Sequence, residues 1–200
     1  MMDYSRLVRR RRMTRAFTDE PMPEETVDRM LDLARRGPSA GNTAAVEFLV
    51  LEGSAQTSRY WDVTLPRPQR DRFAWPELLK APVLVVLWSE PSAYVDRYSE
   101  KDKAHTGLGE GTDAWSVPYW FVDAGAAAMT VLLAAEAEGL GALFFGLFDH
   151  EAAVREEFAV PIDRRAVGTI ALGHKAPDRR SASVGRPRRP LDAVVHRDGW

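Results

Sequence analysis

Apolar positions along the chain change period several times, and each change marks an element. From Pro23 to Arg36, Val27, Met30, Leu31 and Ala34 recur at helical spacing, with Glu24 and Glu25 in the first turn and Arg35 and Arg36 in the last. Those charges complement the helix dipole, and Gly37-Pro38 ends the helix. A small-residue loop, Pro38 to Thr43, leads to an expected strand over Val46–Leu51. Residues 54–75 are polar and read as irregular, and Pro76–Lys80 as a short helical turn. Val83–Trp88 is a continuous apolar run of strand length, which predicts a buried strand. Residues 91–117 show no clear period and carry Gly107, Gly109 and Gly111, so they read as a long loop, functional or mobile.

The strongest pattern spans Pro118 to Glu138, an alanine-rich helix that is apolar nearly all round. Such a helix belongs in a core or a subunit interface. Gly139 caps it. A strand over Ala142–Gly146, a short helix over His150–Phe158 and a strand over Val167–Leu172 follow, and the tail from Ala176 to Trp200 is rich in proline and arginine. The expected fold is α+β, a mainly antiparallel sheet flanked by helices in a single domain over residues 1–200, with an extended C-terminal arm.

Composition narrows the chemistry. With 200 residues, 45% of them apolar and 28% charged, the chain can bury a core of its own. A net charge of −2 argues against a protein built to seek nucleic acid or an acidic membrane. The absence of cysteine excludes disulfides, thiolate metal sites and cysteine nucleophiles. No uninterrupted apolar run is long enough to span a bilayer and no signal-peptide core follows the basic N-terminus, so a cytoplasmic location is expected. His105, His150, His174 and His196 are scattered away from carboxylates at metal spacing, and no metal is expected. Gly107, Gly109 and Gly111 lack the preceding strand that a dinucleotide fingerprint requires.

Two arginine clusters remain: Arg9–Arg12 with Arg15 near one end, and Arg186, Arg188 and Arg189 near the other. The first could be a solvated helix face, a nucleic-acid arm or an anion site. Asp19-Glu20 close behind it would repel a phosphate backbone. The second sits between Pro187 and Pro190, which hold the arm extended. Together the clusters suit one phosphate dianion.

The stretches Arg11-Arg12-Met13-Thr14-Arg15-Ala16-Phe17, Pro38-Ser39-Ala40-Gly41-Asn42, Asp123-Ala124-Gly125-Ala126-Ala127 and Arg186-Pro187-Arg188-Arg189-Pro190, in this order, resemble the FMN-dependent nitroreductase family. That resemblance implies a homodimer with FMN at the subunit interface and an arm crossing onto the partner. It places Arg11, Arg12 and the Met13 backbone near the phosphate and ribityl chain, and Arg15 at the pyrimidine edge. Arg188, with Arg186 or Arg189, would complete the phosphate site, and Pro38, Ser39, Ala40, Gly41 and Asn42 would reach the flavin from the other subunit. The backbone at Phe145, Gly146 and Leu147 would face the ring. The implied activity is transfer of electrons from NADH or NADPH to a small electron-poor acceptor such as a nitroaromatic or quinone. A flavin-storage protein, or a specialised member that cleaves flavin or removes halogen, is the alternative. Two departures stand out: Met13 where the family often has serine, and Thr43-Ala44-Ala45-Val46 where it often continues Gln-Pro-Trp, which removes an aromatic wall.

Overall fold

The computed structural model describes residues 3–179 and 185–200. In chain order its helices are α1 (Tyr4–Arg10), α2 (Glu24–Ala34), α3 (Gly53–Thr64), α4 (Arg67–Arg70), α5 (Pro91–Ser99), α6 (Tyr119–Ala137) and α7 (Glu151–Glu157). The strands are β1 (Val46–Glu52), β2 (Val83–Ser89), β3 (Gly141–Phe145) and β4 (Arg165–Gly173). They form one antiparallel sheet in the order β1-β2-β4-β3, as the α+β expectation required.

Every residue of β2 is buried, which explains its unbroken apolar run. Val83, Val85 and Leu87 face α2 and α6, together with Ile170 and Leu172 of β4. Leu84, Val86 and Trp88 face the opposite way, against Tyr60 and Trp61 of α3 and Val154 of α7. With both faces covered, alternation disappears from the sequence even though the sheet is antiparallel. Each such Val or Leu stabilises the fold by about 1.5–3 kcal/mol. On α6, Ala124, Ala127, Ala128, Val131 and Ala135 are buried, and their small side chains let the helix lie close to the sheet. Length and apolarity alone would let α6 cross a membrane, but this packing accounts for its composition.

Four expectations need correction. Residues 54–75 are not irregular: α3 and α4 occupy them. The signal was weak because Thr57, Tyr60 and Trp61 are the buried positions of an otherwise polar helix that lacks a side-chain N-cap. Residues 91–117 are not a structureless loop, since α5 and three short 3-10 turns fill them around Tyr94 and Trp115. Helix α2 ends at Ala34, and Arg35 and Arg36 lie past its end, both bonded to Asp32. Finally, the arm is not wholly extended. A 3-10 turn forms at Leu191–Ala193, and His196 stacks on Trp200. Residues 180–184 of the expected arm lie outside the described residues.

Two predictions come from the sheet. At the irregularity between Leu87 and Trp88, β4 passes so near β3 that a Cβ on Gly168 would stand 2.5 Å from Phe144 Cε2 and 2.8 Å from the Phe145 carbonyl oxygen. Backbone cannot yield cheaply, so Gly168→Ala should cost about 1–3 kcal/mol. An unchanged urea midpoint would refute this. Tyr60 hydroxyl and Thr169 Oγ1 share a hydrogen bond of 2.8 Å inside the core, and burial pushes the Tyr60 phenol up from 10.0 to about 12. The neutral form is therefore the one the fold favours. Its contribution is complete below pH 10 and is lost as pH rises through about 12. Unfolding measured from pH 9 to 12 should show a falling stability that Tyr60→Phe makes shallower, at a loss of about 1 kcal/mol near neutrality.

Candidate functional site

The N-terminal segment reaches the free side of the sheet. Helix α1 ends at Arg10, and the chain then turns to run beside edge strand β3, where Thr14 N–H donates to the Ala142 carbonyl at 2.9 Å. Phe17 bridges to Lys175, and Ala176 N–H donates to the Ala16 carbonyl. Thr14, Ala16 and Phe17 are buried, so the alternate positions in between are pinned from below. Met13 packs against the cores on both faces of the sheet, which leaves its backbone rather than its side chain for a ligand.

The arginines here differ sharply in what they do. Arg12 folds back and donates Nη1 to the Arg9 and Arg11 carbonyls, at 2.6 and 2.9 Å, capping the end of α1. Arg11 has buried Nε and Nη1 atoms with no hydrogen-bond partner among the described residues. An unpaired buried guanidinium carries a large desolvation penalty that an anion would offset. Its neighbour Arg10 lies 3.4 Å from the buried Glu136 carboxylate, which also accepts from Lys175 Nζ at 2.9 Å. Two cations thus share one carboxylate. Arg15 lays its guanidinium over the Trp75 ring at 5.3 Å, while its backbone N–H donates to Asp178 at 2.9 Å. Arg179 lies over the same ring at 4.0 Å.

At the far end of β3, Phe145 stacks on Trp61 with centroids 5.9 Å apart, and the Leu147 side chain is buried. Both side chains point into the core, so the segment offers its backbone and Gly146 outward. The span from Ala142 to Gly146 is about 13 Å of strand. Exposed Phe148 follows in a left-handed conformation, φ 49°, and leans toward Gly146.

The loop Pro38–Asn42 is shaped by a residue that the sequence did not single out. Buried Asp123 of α6 accepts from Ala40 N–H at 2.9 Å and from the Tyr94 hydroxyl at 2.8 Å. Burial, then the Asp123 carboxylate, drives the Tyr94 phenol well above its ordinary range. Ser39 Oγ accepts from Ala44 N–H, and Asn42 N–H donates to the Ser39 carbonyl. Gly41 has φ 64°, and a Cβ there would stand 2.8 Å from the Tyr98 ring, so glycine is required twice over. Arg97 Nε donates to the Gly41 carbonyl at 2.9 Å and both its Nη atoms donate to Asp102, whose carboxyl is held down to about 2. Pro38 is exposed at the start of the loop.

The structure therefore brings Arg11, Met13 and Arg15 to one end of the β3 edge and Phe145, Gly146 and Leu147 to the other. It does not bring the loop to them. The loop is tied to Asp123 and the Arg10 segment to Glu136, thirteen residues and about 20 Å further along α6. Arg186, Arg188 and Arg189 are exposed, and Arg189 bonds locally to the Ala193 carbonyl. Asp123 entered the sequence reading only within a stretch that carries the family resemblance, with no role of its own, and Tyr94, Trp75 and Lys175 did not enter it. An isolated Asp in an alanine-rich run, the residue before Pro76, is all that the sequence displays of the first and third.

Similarity to known proteins bears on the fold and the family. The chain is 27% identical to a 4-nitrobenzoate reductase of Nocardioides sp., over 96% of this chain and 88% of that protein. It is also 27% identical to an FMN reductase (NAD(P)H) of Bacillus subtilis, over 94% of this chain and 71% of that one. Its fold matches a solved structure from Desulfovibrio desulfuricans, described as a nitroreductase in complex with FMN, with a TM-score of 0.69 at 22% identity, covering 100% and 99% of the two chains. A model of the nitroreductase family matches residues 8–174, and the chain belongs to that family.

Proposed function

We propose that this protein is an FMN-dependent oxidoreductase that passes electrons from a reduced nicotinamide to a small electron-poor acceptor, and that it works as a homodimer. The observation that carries the reading is the half-buried Arg11 guanidinium, whose Nε and Nη1 are buried and find no hydrogen-bond partner among the described residues, and which fits the phosphate end of such a cofactor. Relatives named as an FMN reductase and a 4-nitrobenzoate reductase, and a neighbour solved with FMN, support the choice of cofactor and acceptor class.

The residues present fit the group. Arg11 would hold the phosphate with charge-assisted bonds, supported by the Met13 backbone and by Arg186, Arg188 or Arg189. Arg12 would contribute after leaving its capping role, or through its backbone alone. When bound, FMN supplies a ring that accepts a hydride from NADH or NADPH and yields electrons to the acceptor. Arg15, steadied by the Trp75 face, places a fixed cation for the pyrimidine edge. The backbone at Phe145, Gly146 and Leu147 lines the ring, where the absence of a Cβ at Gly146 permits close approach.

The dimer follows from distance. Pro38, Ser39, Ala40, Gly41 and Asn42 lie about 20 Å along α6 from the Arg10 end. One small cofactor touching both sets draws them from two copies. Val122 and Met129 leave an exposed apolar line on α6 that a second copy would cover, and the arm crosses onto that copy.

The purified protein should be yellow, release FMN on denaturation, and bleach in stopped-flow mixing with NADPH or NADH. A colourless protein would remove the cofactor reading; a yellow one that neither donor bleaches would leave only storage of flavin. Arg11→Ala should weaken FMN binding by roughly ten- to a hundredfold, as loss of a charge-assisted contact of about 1.5–3 kcal/mol requires. Equal retention in the variant, measured by ultrafiltration of the free flavin, would count against the phosphate assignment. Asp123→Ala should release the Ala40 loop and Tyr94 and lower thermal stability by about 2–4 kcal/mol. Its FMN dissociation rate should rise with the Arg11 site intact.

A further inference from the structure

Beside the Asp123-held loop lies a cavity of about 350 Å³ with no charged side chain among its lining residues. Ala40 of the loop forms one wall; Tyr98, Leu108, Trp115, Val117 and Tyr119 form the others. The side-chain polar atoms on this wall, those of Ser116, the two tyrosines and Trp115, are all neutral.

Neighbouring contacts hold the aromatic wall in place. Trp115 is 8% exposed, and its Nε1–H donates to the Leu108 carbonyl at 3.0 Å. Its ring meets Tyr98 at 4.7 Å, Tyr94 at 6.0 Å and Trp120 at 5.9 Å, each edge to face. Gly109 lies so close to Ser99 that a Cβ would stand 2.4 Å from its Oγ. Two cations of residues 91–117 stand outside the lining: Arg97, bonded to Asp102 and the Gly41 carbonyl, and Lys103, over the Tyr98 face at 5.6 Å. A preformed aromatic slot pays little ordering entropy on binding. A carboxylate or sulfonate entering it would lose part of its hydration and meet no cation among the side chains that line the pocket.

We propose that Tyr98, Trp115 and Tyr119 form the acceptor-selecting pocket of this protein, one that takes flat neutral aromatic acceptors and rejects anionic ones. This segment thereby supplies the aromatic wall that Thr43-Ala44-Ala45-Val46 does not. The proposal rests on the functional reading above, because Ala40 joins the pocket to the loop assigned to the flavin. It goes further in naming the side chains that set specificity and the charge they refuse.

The test is titration calorimetry of the oxidised protein as purified, without nicotinamide, using 1,4-naphthoquinone and its 2-sulfonate. The chain has no cysteine, so quinone addition to a thiol cannot mimic binding. The neutral quinone should bind at least roughly tenfold more tightly than the sulfonate. Tyr119 is 43% exposed, which makes it a safer site for substitution than Trp115. Tyr119→Ser should weaken naphthoquinone binding roughly fivefold to tenfold, and Tyr119→Phe should restore it. Tyr98→Leu gives an independent second measurement with the same expected direction. Equal affinity for the two probes, or naphthoquinone binding unchanged in both Tyr119→Ser and Tyr98→Leu, overturns the proposal. FMN content and bleaching by NADPH or NADH are recorded on the same samples. If these fail while the charge preference and its loss in the variants remain, the cofactor reading falls and the pocket stands.

Discussion

Helix α6 buries two carboxylates, and the rest of the candidate site hangs from them. Asp123, one turn into the helix, fixes the Ala40 loop and Tyr94 of α5. Glu136, in its last turn, holds Arg10 and Lys175. Between them, alanine lets the helix sit close to the sheet, so neither carboxylate can drift without disturbing the core. A buried carboxylate left without its partners is strongly destabilising, which makes each pairing close to obligatory once α6 is docked. The same packing that builds the core therefore also fixes where the loop and the arginine segment stand.

Residues 91–117 are an outgrowth of the Asp123 end. Tyr94 bonds to Asp123 and packs under Trp115; Trp115 then supports Tyr98 and Tyr119. Order in residues 91–117 thus comes from side chains stacked on a polar anchor. Gly107 and Gly111 take positive φ angles that turn the chain between 3-10 segments. Their spacing reflects the turns of this segment rather than a phosphate cradle.

What the sequence made legible follows from which physical signals are local. The run Val83–Trp88 and the apolar helix near 119–138 depend only on composition and period, and both elements stand within a residue or two of expectation. Helices α3 and α5 were missed because their apolar residues do not gather on one face as those of α2 do, so the helical period is faint beneath a polar exterior. The clustered arginines were visible, but their division of labour was not. Arg11 and Arg12 are adjacent and chemically identical. Only the turn at the end of α1 decides that Arg12 caps carbonyls while Arg11 is left buried without a partner. Asp123 was equally hidden, since a carboxylate in an alanine-rich run reveals nothing of a tyrosine twenty-nine residues away.

Charge at the Glu136 end completes the argument for an anion. Arg10 and Lys175 share the single Glu136 carboxylate, and Arg11 adds a further positive charge at the next position of the chain. A hydrophobic replacement for Arg11 would remove the desolvation cost, so retention of a buried, unpaired guanidinium is a net loss to the isolated chain. An anion that binds only the folded form reverses that loss and adds stability in proportion to the logarithm of its concentration over its dissociation constant.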